Sequence, residues 1–172
     1  HELGASHLIG TSKLLASAER IYGDLMKPLW GTMVPAPIEN VVALTDGERL
    51  KIVGHTVDVL YTPGHASHHV AFLLEGETMF TGDAAAIHFA GSSVIRPALP
   101  PPEIDLELWQ DSIDKMIVAK PKRLLLTHYG EVKDAEAHLR QVVERNEEWA
   151  NLILEGLQKG EDAKMLEQRL RA

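Results

Sequence analysis

The sequence predicts an α+β domain, and three observations carry that prediction. Short β-branched or apolar runs separated by turn residues fill the stretch from Val41 to Phe80, which is the pattern of an antiparallel meander. Two stretches, Leu106 to Ile117 and Ala135 to Leu157, repeat apolar residues at helical intervals instead. Finally, three apolar runs end in tight turns that carry a His or an Asp.

Taken in chain order, Leu8, Ile9, Leu14, Leu15, Ala18 and Ile21 fall at mostly helical spacing, predicting one or two short helices between Gly4 and Tyr22. Gly10-Thr11-Ser12 is the predicted break, with Thr11 or Ser12 capping the second helix. Gly23 to Pro37 is rich in Gly and Pro and reads as a loop. Strands are expected at Val41–Leu44, Leu50–Val53 and Thr56–Tyr61, the first two joined in a hairpin at Asp46-Gly47. Val70–Leu74 and Thr78–Phe80, around Glu75-Gly76, give a further hairpin. The segment from Ala84 to Pro102 reads as loop. Asp105 is the expected N-cap of a helix that buries Leu106, Trp109, Ile113, Met116 and Ile117 and stops at Lys120-Pro121. Leu124-Leu125-Leu126 is a buried strand. A long amphipathic helix from about Val132 buries Ala135, Leu139, Val142, Val143, Trp149, Ile153, Leu154 and Leu157. Gly160 ends it, and Met165 to Leu170 forms a short terminal helix. No repeat or linker divides residues 1–172, so they read as a single domain.

Composition narrows the function classes. The formal net charge of −8, with scattered Lys and Arg, argues against a nucleic-acid surface, because phosphate binding requires clustered cations. No apolar run approaches the roughly 18 residues of a membrane span, so a soluble, cytoplasmic protein without a membrane partner is expected. With no Cys in the chain, any metal must be held by His and carboxylate, a donor set that suits zinc, iron or manganese.

The chemistry is expected where strands end. Tyr61 leads into Thr62-Pro63-Gly64-His65, Phe80 into Thr81-Gly82-Asp83, and Leu126 into Thr127-His128-Tyr129-Gly130. Strand ends at one rim of a sheet are rigid, and turns leaving that rim can converge on a ligand. Two imidazoles and a carboxylate brought together would make a metal site. Trp30, His88 and Arg96 lie in loops from which they could meet a substrate, Arg96 through a bidentate contact to a carboxylate. Tyr129 either lines the pocket or packs. His55 and His138 read as surface residues, and Trp109 and Trp149 as core.

In their order and strand contexts, these three motifs resemble the metallo-β-lactamase superfamily, in particular its glyoxalase II-like hydrolases. The resemblance implies a four-layer αββα sandwich, present here as its C-terminal larger part, holding one or two zinc ions, or iron or manganese, at its rim. It makes Asp83 the bridging carboxylate, His65 a ligand of the first metal and His128 a ligand of the second. His69, four residues after His65, is expected to hydrogen-bond and fix a neighbouring ligand or loop, while His68 faces the other way.

The sequence departs from the family pattern in one respect. Members carry an upstream His-x-His-x-Asp-His run that supplies three ligands and the Asp that orients the attacking water, and this sequence contains no such run. The resemblance therefore implies an N-terminally incomplete domain, short of the family's by about 60 to 110 residues for a parent of ordinary domain size. The implied activity is hydrolysis of an ester or thioester of the hydroxyacyl-thioester type on a small-molecule substrate. The alternatives are a mononuclear iron enzyme similar to persulfide dioxygenases and a non-catalytic binding or assembly module of the same fold. An incomplete sandwich would leave the strands Thr56–Tyr61 and Val70–Leu74 with an apolar face to cover. A second copy of the chain or further N-terminal polypeptide is the expected cover.

Overall fold

The computed structural model describes residues 1–89, 91–92, 94–99, 103–128 and 130–171, the last of these in its backbone only. Pro100 to Pro102 and Tyr129 thus lie outside the described residues. In chain order the elements are α1 (Glu2–Ile9), α2 (Ser12–Tyr22), α3 (Met26–Trp30), β1 (Arg49–Ile52), β2 (His55–Tyr61), β3 (Val70–Leu74) and β4 (Thr78–Phe80). There follow β5 (Ile87–His88), β6 (Ile95–Arg96), α4 (Leu106–Val118), β7 (Arg123–Leu125), β8 (Glu131–Val132), α5 (Ala135–Gln158) and α6 (Ala163–Arg171).

Six of the strands form one mixed sheet in the order β1-β2-β3-β4-β7-β8. All neighbours are antiparallel except β4 and β7. A parallel pair needs a long crossover, and here that crossover contains α4. The remaining strands, β5 and β6, make a small separate hairpin.

Strand alternation divides the sheet's side chains between two faces. On one face Leu60 sits opposite Ala71, Leu73 opposite Met79, and Met79 opposite Leu124. These residues pack against Trp109, Ile113 and Met116 of α4 and Leu139 and Val142 of α5 in a single buried core. Truncating one of the fully buried members, such as Met79, to Ala should cost about 2–5 kcal/mol. Both helices are capped by an aspartate, the first as expected: the Asp105 carboxylate accepts the Leu108 N–H at 3.0 Å and that of Asp134 accepts the Ala137 N–H at 3.2 Å.

The other face is apolar too. Val59 pairs with Phe72, Phe72 with Phe80, and Phe80 with Leu125, and Phe80 is 44% exposed. Among the described residues, no helix is long and apolar enough to cross a membrane.

Several expectations are corrected. Val41–Leu44 is not a strand: Val42 is exposed and the Leu44 carbonyl accepts the Glu2 N–H rather than a ladder partner. The hairpin joins β1 to β2 and turns at Val53-Gly54, both with positive φ, as the tight hairpin turns require. Gly23 to Pro37 contains α3, closed on either side by Gly23 and Gly31 at positive φ. Pro28 sits in that helix's first turn, where its missing N–H costs nothing. Ala84 to Pro102 is not wholly loop, since it includes β5 and β6. His138, read from sequence as a surface residue, is buried.

Candidate metal centre

The three motif turns converge at one rim of the sheet. Asp83 lies in a short 3-10 turn, Gly82–Ala85, entered directly from β4. Its Oδ2 stands 3.5 Å from His65 Nε2 and its Oδ1 3.1 Å from His128 Nε2. The carboxylate thus lies between two imidazoles, one to each oxygen. Oδ1 is buried and, its approach to His128 aside, meets no hydrogen-bond donor among the described residues, a costly state unless an electrophile occupies the space it faces.

The tautomer of His65 points the same way. Its Nδ1 lies 2.8 Å from the Ala98 carbonyl, which only accepts, so Nδ1 carries a proton and Nε2, the nitrogen facing Asp83, is the one a neutral ring would offer to a metal. A ligating His held by a carbonyl on its far nitrogen is the usual arrangement at metal sites. The donor set therefore fits a metal in chemistry and orientation. It is an incomplete set, because among the described residues no three His, Asp or Glu side chains meet at the geometry of one ion. His65–Asp83 and Asp83–His128 form two adjacent pairs sharing a carboxylate.

Each turn is held by identifiable contacts. The His65 loop is seated on α4: the Asp105 N–H donates to the Gly64 carbonyl at 2.9 Å and the Ser112 hydroxyl to the Pro63 carbonyl at 2.7 Å. Gly64 has φ +123, and a Cβ there would fall 2.4 Å from the Trp109 backbone, so only glycine permits this approach. His69 ties the His65 loop to the Asp83 turn. Its Nε2 accepts the Asp83 N–H at 3.0 Å, so Nδ1 holds the proton and donates to Thr62 Oγ1 at 2.8 Å. Burial, followed by the neighbouring His65, pushes the His69 pKa down to about 4, and the ring is neutral at physiological pH. Gly82 completes the contact, since a Cβ on it would lie 2.3 Å from His69 Nε2.

The remaining sequence candidates lie apart from this cluster. A cleft of about 560 Å³ opens beside the carboxylate, lined among others by His65, Asp83, His7, His68 and Glu103. His88, Arg96 and Trp30 are not among its lining residues. His88 Nε2 donates to the Ser92 carbonyl at 2.7 Å, Arg96 is exposed on β6, and Trp30 packs against Tyr22 at the end of α3. His68 lies against Gly4 of α1, and His55 is exposed beside Glu75.

Sequence reasoning missed two contacts to the Asp83 turn. The Trp109 indole N–H donates to the Ala84 carbonyl at 2.7 Å, and His138 Nε2 donates to the Ala85 carbonyl at 2.9 Å. A signal for His138 was present: Ala135, His138 and Val142 are spaced three and four residues apart and share the buried face of α5.

A mixed sheet with two helices on one face and a His-Asp-His cluster at its rim defines an α+β protein with a candidate metal centre at a sheet edge. The family model of the metallo-beta-lactamase superfamily matches residues 5–128, and the chain belongs to that superfamily, whose members generally bind metal ions. It is 34% identical over 150 residues to the metallo-beta-lactamase fold-containing protein ST1585 of Sulfurisphaera tokodaii, covering 86% of this chain and 56% of that one. The solved structure of ST1585 superposes with a TM-score of 0.71 over 82% of this chain and 54% of that one, at 30% identity. The metallo-beta-lactamase family protein TTHA1429 of Thermus thermophilus shares the fold, with a TM-score of 0.62 at 21% identity, over 87% of this chain and 50% of that one. An atrochrysone carboxyl ACP thioesterase of Aspergillus fumigatus is 27% identical over 159 residues, which is 92% of this chain and 44% of the thioesterase. The chain spans about half the length of these relatives.

Proposed function

We propose that this chain is the metal-holding part of a metal-dependent hydrolase of esters or thioesters. The observation that carries the reading is the Asp83 carboxylate, set between His65 and His128 with a buried oxygen that accepts no hydrogen bond among the described residues. A thioester is the favoured substrate class, because a relative aligning over most of the chain is named as an acyl-carrier thioesterase. His65, Asp83 and His128 would hold the metal, a donor set that suits zinc, iron or manganese, of which zinc is the ion proposed. When bound, the ion lowers the pKa of an attacking water toward neutrality and polarises the acyl carbonyl.

The chain's own residues do the rest. Asp83 offers one oxygen to each side of the site. Ala98 keeps the His65 lone pair on Nε2, and neutral His69 holds the Asp83 turn against the His65 loop. The cleft beside Asp83 is wide enough for an acyl group. Further ligands and the group that orients water would come from additional polypeptide. The apolar sheet face bearing Phe72, Phe80 and Leu125 is the surface on which that polypeptide, or a second copy, would pack.

The test is metal analysis and acyl-thioester hydrolysis, followed as free thiol release, on the full-length protein and its Asp83→Ala variant. The wild type should retain metal and release thiol, and the variant should do neither. Full turnover by Asp83→Ala would overturn the reading.

A further inference from the structure

We propose that Trp109 and His138 are positioning residues of the metal centre, acting through the backbone of the turn that carries Asp83; this rests on the hydrolase reading above. Consecutive backbone groups of that turn are each met by a side chain from a different part of the fold. The Asp83 N–H is taken by His69 ahead of β3, the Ala84 carbonyl by Trp109 of α4, and the Ala85 carbonyl by His138 of α5. Ala84 and Ala85 are fully buried, so water does not substitute for these donors. The turn is thereby clamped between the two helices beneath it.

The residue that follows is informative. Ala86 has φ +62 and ψ −170, a region that glycine alone adopts readily. A non-glycine residue persists there only where the surroundings over-determine the backbone, and the three clamps supply that constraint. The chain therefore leaves the Asp83 turn in a fixed, strained direction.

Trp109 does more than fill the core. Its backbone is the surface on which Gly64 rests, its ring meets that of His65 edge-on with centroids 5.7 Å apart, and its indole N–H holds Ala84. One side chain thus sets the distance between the turns bearing His65 and Asp83. His138 occupies a position where its neighbours on α5 are Leu139 and Val142, both fully buried. An aliphatic residue would fill that space; what it lacks is an N–H aimed at Ala85. Burial keeps the imidazole neutral by lowering its pKa, leaving a single directed donor.

The experiment titrates cobalt(II), a spectroscopic substitute for zinc, into the chelator-stripped full-length protein. It compares wild type with Trp109→Phe, His138→Leu, His138→Gln and Val142→Ala. Trp109→Phe keeps the ring and loses the donor, and His138→Gln keeps an N–H donor. Val142→Ala opens a cavity in the same buried core while leaving both side-chain donors to the turn in place. Trp109→Phe and His138→Leu should each weaken cobalt affinity by about 10- to 100-fold, the usual cost of losing an outer hydrogen bond at a metal site. Both should alter the d–d absorption bands, His138→Gln should recover most of the affinity, and Val142→Ala should lower Tm with affinity and bands unchanged.

Wild-type affinity and spectrum in both donor-deleted variants would overturn the proposal, as would an equal loss of affinity in Val142→Ala. If His138→Leu does not fold, Trp109→Phe, read against Val142→Ala, decides between the same outcomes. Failure of the wild type to bind any metal would remove the hydrolase reading and this inference together. A metal-binding wild type with indifferent variants would remove this inference alone.

Discussion

The turn that carries Asp83 and the loop that carries His128 both sit at the sheet rim and meet across 3.1 Å, yet they are built differently. The Asp83 turn is enclosed: its alanines are buried, three side chains hold its backbone, and its glycine is pressed against His69. The His128 loop is open. The His128 side chain is 45% exposed, against 12% for His65. Gly130, with φ +105, has no described residue within 4 Å of where a Cβ would lie. One side of the site is organised by the core of this chain, and the other side depends on what approaches it. A carboxylate fixed before a ligand arrives contributes more to binding than one that must be ordered on binding.

The comparison is broken most severely at the shared residue. Asp83→Ala removes both pairs at once, so metal retention and thioester turnover should both fall below detection by metal analysis and thiol release. The two imidazoles then sharpen it. His65 is nearly buried, with its tautomer fixed by Ala98, and its replacement by Ala should weaken metal binding beyond the roughly 10- to 100-fold that an outer-shell change costs. His128→Ala, on the open side, should cost less, and competition titration against a chelator ranks the two. Equal losses would mean that the enclosed and open sides are energetically alike.

The glycines test the same contrast without touching a ligand. Gly82→Ala would place a Cβ 2.3 Å from His69 Nε2 at a φ of +53. Strain and overpacking together should destabilise it by about 3 kcal/mol. Gly130→Ala meets no neighbour among the described residues and should bear the backbone cost, about 1 kcal/mol. Urea unfolding midpoints of the two variants should separate clearly.

Much of this was legible in the sequence, for a physical reason. β2, β3, β4, α4 and α5 carry patterns at periods of two or 3.6, although Leu106, Leu154 and Leu157, expected in the core, are exposed. The ligand candidates stood out because each follows a strand directly. What stayed hidden depended on contacts distant in the chain. Trp109 reads as core and is core, but its indole N–H reaches a carbonyl 25 residues away. His138 is a polar residue on an apolar stripe, and its partner Ala85 lies 53 residues upstream. Val41–Leu44 has strand-like composition, yet its backbone pairs with α1 rather than with the sheet. Propensity alone does not arbitrate such a competition.

His69 provides the smallest and most general test of the enclosed side. Its imidazole ordinarily titrates near 6.5, and in the folded chain burial pushes the pKa to about 4. Below 6.5 the unfolded state takes up a proton that the folded state refuses, so stability falls as pH falls, until the folded pKa is reached near 4 and the slope levels. Between pH 7 and 5 the loss from this residue should be about 2 kcal/mol, seen as a falling urea midpoint in chelator-treated protein. His69→Asn removes the titrating ring, so the variant, though less stable at pH 7, should lose that part of the slope. A slope of wild-type steepness in His69→Asn would mean that the acid sensitivity arises elsewhere, and that the clamp between the Asp83 turn and the His65 loop is not where burial suppresses protonation.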